Sequence, residues 1–490
     1  MRVPSALHTG VPRKVMLMGF VGSLLLAVGG IGAGVKPQIK DAVSIQLHLV
    51  WVSEHASTRV ACTILVAVGM VMLATAWWLL RPLLDDLAPY ALYVVAAVWS
   101  LPLLVGAPLF SRDIYAYAGQ GNLVVHHVDP YTNGPGSYEP TAPFSSSVDD
   151  VWRFSPAPYG PLWLSISAQV VRASGSHLVP ALFMLRLVAV FGMLMVAWAL
   201  PRLARQNGVA PQRALWLGLA NPLLLIHGVS GGHNDTVMIG LLACGLVVAG
   251  RVPAGRRLVL ATVLITLAAL VKLPAVAALG FLPMGLPTWR QRFSAAAVMA
   301  PVAAVTASFV TLLTGLGWGW LNNVDDGSAR LSIFSPVTGL GVGLGKLLKD
   351  IGLVDTPLAV THVVLAGGVA LAGALALVLL LRSHSLGPQR ALGLALVVVV
   401  ALAPTVQPWY LVWGLVLLAA VIGQRAELAL GALSVALCLA IFPDGRSLVR
   451  PPLYGAPVAA AAGLAVIELR RSAHRLRDEA EQSADPVPAA

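Results

Sequence analysis

The chain has 490 residues, 58% of them hydrophobic and only 11% charged, against about 25% charged in a soluble domain. No polar block is long enough to make a soluble domain, and apolar runs of about 20 residues match the hydrocarbon thickness of a bilayer. The formal charge of +11 is not a nucleic-acid footprint, because Lys and Arg sit in short connectors between apolar runs, as the positive-inside rule requires.

The expected fold is an all-α polytopic membrane protein of about 13–14 transmembrane helices. Arg2, Arg13 and Lys14 place the N-terminus inside. A first span near 15–35 exits, a second near 58–80 returns to Arg81 and Asp85-Asp86, and a third near 88–110 exits again. An outer loop, 111–163, follows. Turns are expected at Asp129-Pro130-Tyr131 and Asn133-Gly134-Pro135-Gly136, and a short surface helix over 112–127. Residues 160–173 read as a partly embedded helix. Span 178–200 returns to Arg202, Arg205 and Arg213. Spans 214–230 and 236–250 go out and back around Gly231-Gly232-His233-Asn234-Asp235. The apolar stretch 258–287 is expected to go out and back as a bent pair with Lys272-Leu273-Pro274 at the turn, and 294–314 leads to a second outer loop, 315–335. Glycine-rich 336–352 is expected to re-enter rather than cross, because a full crossing would put Arg382 and Arg390 outside. Spans near 357–381, 389–404, 409–423, 426–442 and 453–469 complete one transmembrane domain over 1–470 with both ends inside. Residues 471–490 are a cytoplasmic tail, partly disordered.

Cys62, Cys244 and Cys438 all lie in apolar runs without CxxC spacing, so they read as small buried hydrophobes. The polar groups that membrane spanning does not explain fall at one level, the outer one. They are Arg112-Asp113, His233-Asn234-Asp235, Lys272, Asn322-Asn323 with Asp325-Asp326, Arg330, and Gln407-Pro408-Trp409-Tyr410. A charge at the bilayer centre costs about 2.5–3.5 kcal/mol on insertion scales. Lys272, inside a long apolar run, therefore needs a partner or a ligand, unless it snorkels. Asp113 either pairs with Arg112 or caps a helix after Ser111, or it serves as a general base on a hydroxyl. Asn234 or Asp235 suits a helix cap. Trp152, Tyr159, Trp163, Trp409 and Tyr410 suit either an interfacial belt or stacking on a sugar. No Walker A, GxSxG, HExxH or dinucleotide fingerprint occurs in its proper context, and no second His/Asp cluster has metal spacing. No metal ligand is assigned, and dependence on a divalent ion is left open.

The run Arg112-Asp113-Ile114-Tyr115-Ala116-Tyr117-Ala118-Gly119-Gln120-Gly121, then Asp129-Pro130-Tyr131-Thr132, Trp152-Arg153 and Ser155-Pro156-Ala157-Pro158-Tyr159-Gly160-Pro161-Leu162, resembles the polyprenol-phosphate-mannose-dependent α-(1→6)-mannopyranosyltransferases of actinobacteria, which are GT-C membrane glycosyltransferases. Asn221-Pro222-Leu223, Gly232-His233-Asn234-Asp235 and Val271-Lys272-Leu273-Pro274 resemble the same family. Ala116 and Gly119 stand where the family pattern has Ser and Ala. The resemblance covers about 90–470. It implies transfer of mannose, with inversion, from a polyprenyl-phosphate-mannose donor to the 6-hydroxyl of a glycolipid mannan acceptor, on the outer face of the cytoplasmic membrane, in lipomannan or lipoarabinomannan backbone synthesis. The membrane lipids are partners and nucleic acid is not.

The same resemblance implies that Asp113 is the base, with Asp129 as second choice. Arg112, Lys272 and Arg330 are the candidate cations for the donor phosphate, whose departure as a stable anion removes the need for a general acid. Candidate substrate-binding residues are Tyr115, Asp129, Tyr131, Trp152, Tyr159, His233, Asn234, Asp235, Gln407, Trp409 and Tyr410. Two other readings stay open. One is a transporter or flippase of lipid-linked sugars, which many spans and a broken apolar pair would suit. The other is a GT-C transferase using another polyprenyl-phosphate sugar such as arabinose.

Overall fold

The computed structural model describes residues 10–35, 52, 54–251, 254–323 and 334–445. Among these residues there is no β-strand, and the chain is a bundle of apolar helices. The first five helices are α1 (Arg13–Ala33), α2 (Ala56–Leu80), α3 (Pro89–Val105), α4 (Asp113–Val125) and α5 (Pro161–Ala173). Next come α6 (Leu178–Gln206), α7 (Pro211–Gly218), α8 (Pro222–Ser230), α9 (Asp235–Ala249), α10 (Gly255–Val271) and α11 (Ala278–Met284). The last six are α12 (Trp289–Thr314), α13 (Pro336–Asp350), α14 (Pro357–Leu381), α15 (Pro388–Leu402), α16 (Leu411–Ala419) and α17 (Gln424–Cys438).

Proline sets many of the boundaries. The helices α3, α5, α7, α8, α13, α14 and α15 all carry Pro in the first turn, where the missing N–H is an orphan in any case and the fixed φ suits the helix. Helix α12 begins instead with a capping box, Thr288 with Gln291.

Five helices are long and apolar enough to cross a bilayer: Arg13–Ala33, Ala56–Leu83, Leu178–Gln206, Trp289–Thr314 and Pro357–Leu381. Pro222–Ser230 and Asp235–Ala249 add a sixth if counted as one broken span, bent by 118°. Four apolar helices are shorter: Pro89–Val105, Leu273–Met284, Pro388–Leu402 and Pro408–Ala419. The chain is therefore a multi-pass membrane protein. The expected span at 453–469 lies outside the described residues, as do the N-terminal arginine Arg2 and the tail.

Close helix contacts rest on glycine, as expected where dispersion and backbone approach replace the hydrophobic effect. A Cβ at Gly22 in α1 would lie 2.8 Å from the Gly69 carbonyl oxygen of α2, and one at Gly240 in α9 would lie 2.6 Å from the Gly192 oxygen of α6. The second crossing fixes α9, and with it Asp235, against α6.

The apolar stretch breaks at Lys272, where the turn is expected. Helix α10 ends at Val271, Lys272 is extended at φ −153°, and a 3-10 turn, Leu273–Ala277, leads into α11. Residues 160–173, expected as a short embedded helix, form α5. The glycine-rich stretch expected at 336–352 forms helix α13.

Candidate active site

Asp113 is the first residue of α4, and its carboxylate suits the positive end of the helix dipole. Its backbone N–H donates to Ser111 Oγ at 3.2 Å. The connector that delivers it, between α3 and α4, is strained: Phe110 sits at φ 65°, left-handed and unusual for an aromatic residue. Such strain is tolerated only where the surroundings over-determine it. Here Phe110 N–H donates to Pro443 O at 2.9 Å and Pro108 O accepts from Val35 N–H at 2.9 Å.

The Asp113 side chain is 16% exposed. Burial pushes its carboxyl up to about 7, Asp235 and Asp149 push the same way, and Lys272 and Ser111 oppose them. Its Oδ2 lies 3.7 Å from His233 Nδ1, which in turn lies 3.9 Å from Asp235 Oδ2. His233 comes from the break between α8 and α9. Gly232 makes that break with φ 62°, a conformation that strains any other residue, and a Cβ there would press on Ile114 Cδ1 at 2.7 Å. Just before the break, residues 225–230 of α8 wind as a π-helix, a feature frequent at functional sites.

Lys272 has its expected partner. Its Nζ donates to Asp235 Oδ1 at 2.8 Å, and the same oxygen accepts from Trp413 Nε1. The ammonium lies 4.6 Å from the Tyr410 ring centre, 5.2 Å from that of Trp413 and 5.9 Å from that of Tyr159, a cation–π cage that compensates for lost water. Tyr410 and Trp413 stack at 4.4 Å, and His233 stacks on Trp409 at 4.1 Å. The Tyr117 hydroxyl lies 3.4 Å from His233 Nδ1 and donates to Asn234 Oδ1 at 3.3 Å.

Several buried polar atoms at this point have no hydrogen-bond partner among the described residues: His233 Nε2, Asn234 Nδ2, Asp235 Oδ2, Trp409 Nε1 and both ring nitrogens of His227. Buried polar groups are nearly always satisfied. So many orphans of mixed donor and acceptor character, joined through the ring contacts of Trp409 with His227 and His233, are what a polar, hydroxyl-rich ligand needs.

The structure thus brings together Asp113, Tyr159, His233, Asn234, Asp235, Lys272, Trp409 and Tyr410. Of the other candidates, Tyr115, Asp129 and Tyr131 are engaged outside this group, and Arg112 borders it with a partner of its own. Arg112 pairs with Asp149 through Nη1 at 2.6 Å, so its carboxylate is not the neighbouring Asp113. Tyr115 is buried and its hydroxyl donates to Val35 O at 3.3 Å, toward α1. Asp129 is exposed and spent on the turn: Oδ1 accepts from Tyr131 N–H at 2.9 Å and Oδ2 from the Thr132 hydroxyl at 3.1 Å. Tyr131 is packed in a separate apolar cluster with Ala157, Leu164, Leu270, Val310 and Trp320. Trp152 is half-buried on the single helical turn Asp150–Arg153, and half-buried Gln407 precedes the turn Pro408–Tyr410. Arg330, Asp325 and Asp326 lie outside the described residues. Asn323 ties the segment after α12 to the loop between α4 and α5, donating through Nδ2 to Tyr131 O at 2.9 Å and Ala157 O at 3.1 Å.

Tyr117, His227 and Trp413 escape the sequence reading. Spacing offers a signal for two of them. Tyr117 is four residues after Asp113, and Trp413 four after Trp409, so each shares a helical face with a candidate. His227 has no such marker within its apolar run. Among the described residues no three His, Cys, Asp or Glu side chains are arranged to hold a metal ion.

Residues 16–287 match the model of the α-(1→6)-mannopyranosyltransferase N-terminal domain, and 332–471 match that of the MptB C-terminal domain. The chain belongs to the α-(1→6)-mannopyranosyltransferase family. It is 36% identical over 445 residues to a probable α-(1→6)-mannopyranosyltransferase of Mycolicibacterium smegmatis, covering 83% of this chain and 79% of the relative. It is 34% identical over 468 residues to an α-(1→6)-mannopyranosyltransferase of Mycobacterium tuberculosis, covering 83% and 78%. It is 30% identical over 495 residues to α-(1→6)-mannopyranosyltransferase B of Corynebacterium glutamicum, covering 92% and 80%. No solved structure matches the chain. The residues of the mannopyranosyltransferase motifs quoted above, from Asp113 to Pro274, all fall within the N-terminal match.

Proposed function

We propose that the chain is an inverting mannosyltransferase that takes mannose from a polyprenyl-phosphate donor and places it on the 6-hydroxyl of a mannan glycolipid. The observation that carries this reading is Asp113: a buried but reachable carboxyl, pushed up to about 7, beside a cluster of unsatisfied polar and aromatic groups. A base poised near the working pH takes a proton most effectively.

In the proposed step the acceptor oxygen attacks the anomeric carbon on the face opposite the phosphate. The bond from that carbon to the phosphate oxygen breaks, its electron pair leaves with the phosphate, and Asp113 takes the hydroxyl proton. Arg112 is the better candidate for the phosphate. Its pair with Asp149 is roughly a quarter exposed on each side, so exchanging the carboxylate for a phosphate costs little desolvation. Lys272 is committed to Asp235 and acts by fixing that carboxylate and the aromatic rings around it. His233, Asn234, Asp235 and Trp409 hold sugar hydroxyls. The site faces the outside of the cytoplasmic membrane, both termini face inward, and the product is the backbone of a lipomannan-type glycolipid.

The test is formation of a new glycosidic bond by the purified protein in detergent, with labelled mannosyl and arabinosyl polyprenyl-phosphate donors offered in parallel. Mannosyl transfer supports the reading. Arabinosyl transfer alone would keep the chemistry and change the donor, and no bond with either would leave the flippase reading.

A further inference from the structure

Arg186 lies on α6 with 4% of its surface exposed, and among the described residues it forms no salt bridge. A cation among apolar helices is expensive to keep, so what it holds is informative. Its Nη1 donates to Gly106 O at 2.6 Å and Leu104 O at 3.0 Å, at the C-terminal end of α3. Its Nε donates to Ser230 O at 3.1 Å, at the C-terminal end of α8. The charge thus satisfies carbonyls that two helix ends leave open, on the side where the dipole favours a cation. Ser230 Oγ adds a second tie across the same gap, donating to Ala107 O at 3.3 Å.

The two clamped ends lead directly to the two halves of the site. From Gly106 the chain runs through strained Phe110 to Asp113, and from Ser230 it runs through Gly231-Gly232 to His233. The Arg186 stem sits between them: a Cβ on Gly232 would lie 3.3 Å from Arg186 Cγ and 2.7 Å from Ile114 Cδ1. We propose that Arg186 is a positioning residue that fixes the spacing of Asp113 and His233 by tying the end of α3 to the end of α8. This rests on the reading of Asp113 as the base. The groups that face Asp113 are His233, Asp235, Lys272, Ser111, Asp149, Tyr117, Tyr159 and Tyr410, and Arg186 acts on their arrangement rather than on substrate.

The test compares wild type, R186M and R186K in detergent, by hydrogen exchange, melting and the pH dependence of transfer. R186M keeps the bulk and loses the fork of donors. In R186M, peptides covering 104–114 and 228–236 are expected to exchange faster together while the α1–α2 pair stays unchanged. Its kcat is expected to fall at least tenfold with KM for the donor within about threefold, and its acid limb to move to lower pH as water reaches Asp113. R186K, which keeps the charge but not the planar fork, is expected to fall between, and it carries the same comparison if R186M does not fold. Exchange that rises in one segment only, or over the whole bundle, overturns the inference. So does a lowered melting temperature with an unmoved acid limb and unchanged kcat. A wild type that forms no glycosidic bond refutes the functional reading instead, and the exchange comparison still decides the tie.

Discussion

At the scale of single residues, the proposed role of Asp113 as the base carries a cost in stability. A base with a carboxyl near 7 is active only when deprotonated, so transfer is expected to rise with pH through about 7 and to fall away below it. A pH–rate profile of kcat/KM checks this, and a limb near pH 4 would remove Asp113 from the role. Asp113→Asn is expected to lower transfer at least a hundredfold while donor binding persists. Stability responds to pH in the opposite sense. The folded carboxyl is raised above its ordinary 3.8, so the folded state holds its proton more tightly than the unfolded one. Stability is then lost as pH rises from about 4 through about 7. Asp113→Asn, which has no charge to bury, is expected to melt higher than wild type at pH 8, by on the order of 1 kcal/mol. A lower melting point in the mutant would mean that the carboxylate is structurally satisfied. Lys272→Met gives the opposite result: it strands Asp235 without its cation, at a cost of about 3–5 kcal/mol. Lys272→Met with Asp235→Asn should recover much of that melting loss and none of the transfer.

At the scale of elements, the site depends on breaks in helices, and breaks are what a sequence displays best. Gly231-Gly232 and Leu273-Pro274 interrupt apolar runs, so His233, Asp235 and Lys272 stand out as polar residues at interruptions. The same logic fails for Arg112, because its neighbour in sequence is not its partner in space. Asp149 lies 37 residues on, and no periodicity reports a pairing closed by an irregular loop. Tyr131 and Asp129 are legible as a turn and nothing more, since an Asx turn and a buried aromatic look the same in sequence as a sugar-binding pair. Arg186 is hidden for a similar reason: its acceptors are backbone carbonyls, which every residue has. The break at Gly232 also makes a prediction. Gly232→Ala must adopt φ 62° and push into Ile114, at about 1–2 kcal/mol for the backbone alone. It is expected to lower transfer at least tenfold with a smaller loss of melting temperature, measured on the same preparation. Wild-type transfer by that mutant would show that the 118° bend tolerates another geometry.

At the scale of the whole molecule, the site is one end of a bundle whose other end is pinned by charge. Glu427, buried on α17, accepts from Arg81 Nε at 3.2 Å and from Arg213 Nη1 at 3.2 Å, and Arg213 reaches Asp85 at 2.9 Å. The network joins the end of α2, the start of α7 and the start of α17. Beside it Trp77 and Trp216 stack at 4.2 Å, each donating its indole N–H to the other's carbonyl, at 2.9 and 2.8 Å. Sequence reading puts Arg81, Asp85 and Arg213 on one side by loop charge; the meeting with Glu427 is a tertiary fact that loop charge does not contain. Because Asp235, Lys272 and Asp113 belong to other elements, the clamp is expected to serve stability and not the reaction. Glu427→Gln leaves two arginines facing a neutral amide in a buried place, and only Arg213 keeps an acid. It is expected to cost about 3 kcal/mol, read as a lower melting temperature, with KM and the pH limb of transfer unchanged in the fraction that stays folded. If the limb moved with the melting point, the two ends of the bundle would be coupled, and α7, which leads through Asn221-Pro222 into the π-wound segment carrying His227, is the element that would transmit it.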